Sequence, residues 1–370
     1  MSAASPGDSL PLLSDSLGFD WAAQSFRPDL IFVLPLAICL VVSIWLGHPG
    51  AGLIVAGGAF TVGFGAKQNI DDSHLLPMIL GSLGIGLATF VGMVAGHTNF
   101  ILVLFAACSG LIYGLLSLRQ PGVAWVMQQC IVFLLVASAY PFSPRGAAVR
   151  SGLVMAGGAL QIITSSILLR LLQQLRTDLL SVARYVRAEH QALRSSVQET
   201  ARSLLTRREP PSTLPYALRL AVTLGVSTEI YRHFAFANGY WIPMTALLVL
   251  RPGLTDTVNR AISRTVGTLA GAMLASFSLA HLQPTPPTLA VLVLLFAWLS
   301  YSLNNVNYGL FTLCLTAYIV SLLALASLPG TLVAYHRAIS TVIGGALALT
   351  VRLLVIRYRK RHPTPPILQA

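Results

Sequence analysis

Arg150-Ser-Gly-Leu-Val-Met-Ala-Gly157-Gly158-Ala-Leu160 returns as Arg337-Ala-Ile-Ser-Thr-Val-Ile-Gly344-Gly345-Ala-Leu347, with the arginine, the paired glycines and Ala-Leu in the same spacing 187 residues apart. The offset is about half of the 370-residue chain. Further back in each copy, His74 with Gly81 lies opposite Arg260 with Gly267 at an offset of 186, so the register holds over most of each half. Self-similarity on this scale predicts a duplicated module.

Composition says which solvent the module faces. The chain is 55% hydrophobic and 10% charged, with a mean hydropathy of +0.73, whereas a soluble domain is about 25% charged. A bilayer core asks for roughly 17–25 apolar residues per helix. Spans are predicted near 30–47, 50–66, 75–96, 100–118, 121–140, 147–172, 215–235, 239–251, 261–281, 286–303, 306–327 and 336–356. The predicted fold is all-α and integral to the membrane, about twelve helices in two parallel six-helix repeats. The expected units are a cytoplasmic tail 1–26, a first repeat 27–172, a connector 173–213, a second repeat 214–357 and a basic tail 358–370.

Charge placement orients this frame. Arginines crowd the connector, among them Arg176, Arg184, Arg187, Arg194 and Arg202, and Arg357, Arg359, Lys360 and Arg361 end the last span. The positive-inside rule puts both regions in the cytoplasm. An even number of spans per half then makes the repeats parallel, with both termini cytoplasmic. Within the connector, Leu175, Leu179, Val182 and Val186 recur at three- and four-residue steps, with Leu193 seven residues further on, which predicts an amphipathic rod lying on anionic headgroups or a partner helix.

Residues 1–25 carry Asp8, Asp15 and Asp20 and no basic n-region, so a tail is expected and not a signal peptide. Cys39, Cys108, Cys130 and Cys314 sit far apart inside apolar runs and read as packing residues. No phosphate-binding loop, His-Glu-x-x-His or Gly-x-Ser-x-Gly motif occurs, so neither enzymatic chemistry nor a metal or other cofactor is expected. The arginines lack the aromatic interleaving of a strand-binding surface, which argues against nucleic acid.

The second half carries Gly239-Tyr240-Trp241-Ile242-Pro243-Met244-Thr245, then Arg260-Ala-Ile-Ser-Arg264-Thr-Val-Gly267-Thr268-Leu-Ala-Gly271, then Asn307-Tyr308 ahead of Thr316, and Arg337 before Thr341 and Gly344. In order and spacing this string resembles the fusaric acid resistance (FUSC) family of aromatic acid exporter-like membrane proteins, with the plant aluminium-activated malate transporters as more distant relatives. The resemblance covers about 214–357; the first half joins it only through the internal repeat. It implies a bacterial inner-membrane transporter of organic anions, often aromatic carboxylates.

The residues supply candidates of their own. A charge at mid-membrane costs about 2.5–3.5 kcal/mol on insertion scales and needs a partner or water. Arg150 and Arg337 open the last predicted span of each half; they either snorkel or form a symmetric anion site, since guanidinium grips carboxylate bidentately. Arg260 and Arg264 open another span. The weak segments 50–66 and 239–251 are interrupted by glycine and proline at matching places, a pointer to a transport site. Trp241 reads as a belt aromatic or a stacking surface. Gln129, Thr316, Asn307 and Tyr308 read as interhelical hydrogen-bonding groups or substrate contacts. Glu229 is the acidic residue inside a predicted span: it either couples transport to protons or pairs locally with Arg232 and His233.

Together these readings predict an exporter of small organic anions driven by the proton gradient. A passive anion channel is the alternative, and a non-transporting scaffold that recruits partners through its rod is a third reading. The expected partners are membrane lipid, the anion, and a periplasmic adaptor or a second copy of the chain.

Overall fold

The computed structural model describes residues 18–70, 73–96, 98–168, 213–234, 238–282 and 284–361, with a few positions between 190 and 198. The tails 1–17 and 362–370 and nearly all of the predicted rod lie outside the described residues.

Twelve helices of nine residues or more are described: α1 Val33–Trp45, α2 Pro49–Gly63, α3 Leu75–Ala95, α4 Phe100–Ser117, α5 Pro121–Ser138, α6 Pro144–Ile162, α7 Thr213–Phe234, α8 Trp241–Val249, α9 Leu254–Leu282, α10 Pro286–Leu303, α11 Tyr308–Leu325 and α12 Gly330–Arg361. Their starts are written in the sequence. Proline opens α2, α5, α6 and α10, where its missing N–H costs no hydrogen bond. Asn99, Ser143 and Asn307 cap α4, α6 and α11, accepting from Ile101, Gly146 and Gly309 amides. Among the described residues, nine helices, α2 to α6 and α9 to α12, are long and apolar enough to cross a membrane. The chain is a multi-pass, all-helical membrane protein.

The segment predicted as a span at 239–251 forms only the nine-residue α8. At 1.5 Å per residue it is about 14 Å long, half of a bilayer core. Asn238, in the left-handed region at φ 57°, turns the chain into it. Pro252 ends it, because the residue before proline avoids helical geometry. Two other spans start earlier than their apolar runs. Helix α9 begins at Leu254 and α12 at Gly330, which moves Arg260, Arg264 and Arg337 from helix ends into helix interiors.

Packing repeats along with sequence. Helix α5 spans 121–138 and α11 spans 308–325, the same bounds shifted by 187. In the first half α1 packs on α2, α2 on α6, α6 on α3, α3 on α5 and α5 on α4; in the second α7 packs on α8, α8 on α12, α12 on α9, α9 on α11 and α11 on α10. Contacts of α4 with α7 and of α10 with α1 close this order into a cycle, and α2 meets α11 while α8 meets α5 across it. Helices α2 and α8 touch the opposite half, as do α1, α4, α5, α7, α10 and α11. Contrary to the expectation of two interrupted segments, α2 runs unbroken into Phe64–Lys67 and is long enough to cross a membrane, whereas α8 is not. Between the halves, Phe60 stacks on Tyr318 with ring centroids 4.0 Å apart, and the Tyr301 hydroxyl donates to the Phe60 carbonyl at 2.6 Å.

Close approach fixes which glycines matter. A Cβ on Gly58 would collide with the Val154 carbonyl of α6, whereas one on Gly57 would meet nothing within 4 Å. Gly58→Ala is expected to cost about 1–3 kcal/mol by prising α2 from α6, and Gly57→Ala to gain up to about 1 kcal/mol through helix propensity. Thermal unfolding of the two purified variants reads the opposite signs.

Candidate anion site

One face of α9 carries Arg260, Arg264 and Thr268 at four-residue steps, so the three project in a column. The column faces α11 and α12 because Gly267 and Gly271 lie directly against the Gly309 and Leu313 carbonyls of α11. Larger residues there would hold the helices apart.

Arg260 Nε donates to the Leu248 carbonyl at 3.1 Å, near the end of α8 where carbonyls lack intrahelical partners. Its guanidinium lies 3.8 Å from the centre of the Tyr308 ring, in cation–π geometry. One turn on, Arg264 is 2% exposed and its Nη1 donates to the Tyr308 hydroxyl at 3.0 Å. Arg337 of α12 is also 2% exposed; its Nε donates to Thr316 Oγ1 at 3.2 Å and its guanidinium stands 5.1 Å from the Trp241 ring centre. Trp241 and Thr316 are themselves buried.

Several polar atoms here are buried without a hydrogen-bond partner in the protein: Arg264 Nε, Arg337 Nη1, Asn259 Oδ1 and Thr268 Oγ1. Among the described residues, no carboxylate pairs with Arg260, Arg264 or Arg337. A cleft of about 270 Å³ opens onto the column, lined by Arg251, Asn259, Arg260, Ser263 and Tyr308, with exposed Asp256 also on its wall. Its volume lies just under the usual range of ligand pockets, about 300–1,000 Å³. The arrangement suits a small anion.

The structure thus brings together Arg260, Arg264, Arg337, Trp241, Tyr308 and Thr316. It does not bring Arg150 to them. That residue is half-buried, with its guanidinium 3.8 Å over the Phe142 ring. In the register that sets His74 opposite Arg260, Arg264 falls on Met78, and at the 187-residue offset Tyr308 falls on Pro121, so the first half holds no copy of the column. Gln129 is half-buried on α5. Asn307 caps α11 and donates to the Gly18 carbonyl at 2.8 Å. Glu229 forms an i,i+3 ion pair with Arg232, with 38% and 28% of the two side chains exposed.

One pair escapes a reading by apolar runs and motifs. Asp29, 2% exposed, and Lys67 meet at 2.6 Å. Asp29 precedes α1 and Lys67 follows α2; in a hairpin of two helices those positions share an end, a proximity that chain order alone implies.

Residues 225–351, about a third of the chain, match the family model described as fusaric acid resistance protein-like. All six assembled residues lie inside that range. The chain is 34% identical over 179 residues to the uncharacterized protein YhfK of Escherichia coli (strain K12), covering 48% of this chain and 25% of that protein. It is 27% identical over 133 residues to an uncharacterized protein of Haemophilus influenzae, covering 36% and 18%. Over 133 residues it is 29% identical to the uncharacterized protein ORF2 of Neisseria gonorrhoeae, covering 36% and 32%. The matched stretch therefore spans less than a third of each of these relatives. No solved structure matches.

Proposed function

We propose that this chain, whose second half carries the fusaric acid resistance protein-like match, exports small organic anions, aromatic carboxylates among them, across the bacterial inner membrane. One observation carries the reading: Arg260, Arg264 and Arg337 converge, and among the described residues no carboxylate pairs with them. Each such charge costs about 2.5–3.5 kcal/mol on insertion scales. For Arg264 and Arg337, each 2% exposed, the sum is about 5–7 kcal/mol, within the range of the whole stability of an ordinary domain, about 5–15 kcal/mol. A carboxylate arriving in the column satisfies the unpartnered N–H groups and the charge at once. The Trp241 and Tyr308 rings offer faces for an aromatic body.

The proposed frame is two parallel six-helix repeats about an axis along the membrane normal, with α8 and residues 250–253 together returning the chain to the cytoplasmic side before α9, and both termini cytoplasmic. The cleft at Arg260 then opens at the cytoplasmic end, and Arg337 stands about 10 Å from the start of α12 on the other side. The proton gradient is the proposed energy source. A passive channel on the same scaffold is the second reading, favoured because the column itself contains no carboxylate to titrate.

Proteoliposomes loaded with benzoate, with and without an imposed pH gradient, test the reading. Saturable benzoate flux, competed by other aromatic carboxylates and absent from protein-free vesicles, is expected. A lack of protein-dependent flux for every carboxylate tried would remove the transport function. Topology is checked in intact cells: a single cysteine replacing Ser195 in a cysteine-free chain is expected to resist membrane-impermeant thiol reagents.

A further inference from the structure

We propose that Asp29 and Lys67 are the proton-coupling site: a latch that fastens the N-terminal segment and the end of α2 to α10 while Asp29 is ionised, and releases them when a proton occupies its carboxylate. The inference rests on the transport reading above and names the group that couples it to protons.

Lys67 has three ammonium donors, and three acceptors meet them. Nζ lies 2.6 Å from Asp29 Oδ2, 2.7 Å from the Tyr301 carbonyl on α10 and 3.2 Å from Ser25 Oγ. The Ser25 hydroxyl donates in turn to the same Asp29 oxygen. Three elements are joined by one ammonium: the N-terminal segment, the end of α2 from the first half, and α10 from the second. Among the described residues, this is the ion pair whose carboxylate is buried. The Glu229–Arg232 pair is open to solvent and joins two residues of one helix, so it ties no elements together.

The latch ends a strap. Residues 18–29 lie along α10 and the turn that follows it: Trp298 Nε1 donates to the Phe26 carbonyl at 2.8 Å, Ser25 N to Ser302 O at 3.4 Å, Asp20 N to Val306 O at 3.1 Å, and Asn307 Nδ2 to Gly18 O. The residue after Asn307 is Tyr308, which holds both Arg260 and Arg264. Strap and anion column therefore meet at the first turn of α11.

The chemistry is a single protonation. A proton adds to the Asp29 carboxylate, Lys67 keeps its own charge, and the attraction between them is gone. An ammonium 15% exposed and deprived of its counter-ion favours a conformation in which it reaches water. Among the described side chains, the charged group that meets Asp29 is Lys67; the Tyr301 hydroxyl, on α10, turns away to the Phe60 carbonyl. At the repeat offset Asp29 falls on Tyr216 and Lys67 on Leu254, so one latch serves the molecule.

Two readouts separate this inference from its premise. A nitroxide on Gln24→Cys, in a chain whose four native cysteines are replaced, reports strap mobility without any transport. At neutral pH its spectrum is expected to be broad in the unsubstituted chain, where Lys67 and Asp29 meet. Asp29→Asn, which removes the charge as a proton would, is expected to sharpen it at the same pH, whereas Asp29→Glu and Glu229→Gln are expected to leave it broad. In proteoliposomes, Asp29→Asn is expected to lose about tenfold of the benzoate accumulation driven by a pH gradient, while benzoate counterflow without a gradient persists. A nitroxide as immobile in Asp29→Asn as in the unsubstituted chain, or undiminished gradient-driven accumulation in Asp29→Asn, overturns the latch. Absence of counterflow in the unsubstituted chain overturns the transport reading and this one with it.

Discussion

Arg337→Gln is expected to lower benzoate flux by on the order of 100-fold, while Arg150→Gln leaves it within about twofold. Truncating one partner of a buried, charge-assisted pair costs about 2–5 kcal/mol, and each 1.4 kcal/mol is tenfold. Arg337 meets the conditions for that loss: it is 2% exposed, its Nε is held by Thr316, and its Nη1 has no acceptor in the protein. Lysine at 337 is expected to recover only part of the flux, because it keeps the charge but not the planar fork. Arg150 stands in the same repeat motif, yet its guanidinium is spent on the face of Phe142. The comparison of the two variants measures how far sequence symmetry extends to chemistry. Equal losses would restore a symmetric site on the axis. Unchanged rate and affinity in Arg337→Gln would reduce that residue to a helix anchor.

What the sequence shows well is whatever depends on periodicity and composition. The 187-residue repeat reappears in the matched bounds of α5 and α11 and in the matched packing order of the halves. Capping prolines and asparagines can be read at the positions where they act. Hydropathy fails where a helix enters the membrane through polar residues. Thr257 and Asn259 in the first turns of α9 depress the local average, yet both are buried, so a window of apolar residues starts the helix too late. That shift decides the weight of Arg260 and Arg264: at a helix end topology alone explains an arginine, in the interior it does not. Asn307 shows the converse. Its place ahead of Tyr308 leaves hydrogen bonding and substrate contact both open, and in the fold its side chain caps α11 and holds the Gly18 carbonyl. The Asp29–Lys67 pair joins residues 38 positions apart, and only a paired reading of helix ends brings them together.

Replacing Arg264 and Tyr308 together, as Arg264→Met with Tyr308→Phe, is expected to raise the thermal stability of the ligand-free protein while abolishing benzoate flux. Arg264 carries a buried charge with no carboxylate partner and an Nε without an acceptor. Replacing buried ionic groups by apolar residues of similar volume is often stabilising by about 1–4 kcal/mol. The single Arg264→Met variant should gain less, because the Tyr308 hydroxyl then loses the guanidinium that donates to it at 3.0 Å, a loss of about 1–3 kcal/mol for a buried group left unsatisfied. Phenylalanine at 308 removes that hydroxyl and keeps the ring under Arg260. The order of melting temperatures should therefore run double variant, single variant, unsubstituted chain, opposite to the order of flux. A structural arginine gives the reverse result: if Arg264 were retained because it braces α9 against α11, the double variant would melt lower and the loss of flux would follow from unfolding. Stability and transport moving in opposite directions is the behaviour of a charge kept in the membrane for the anion it binds.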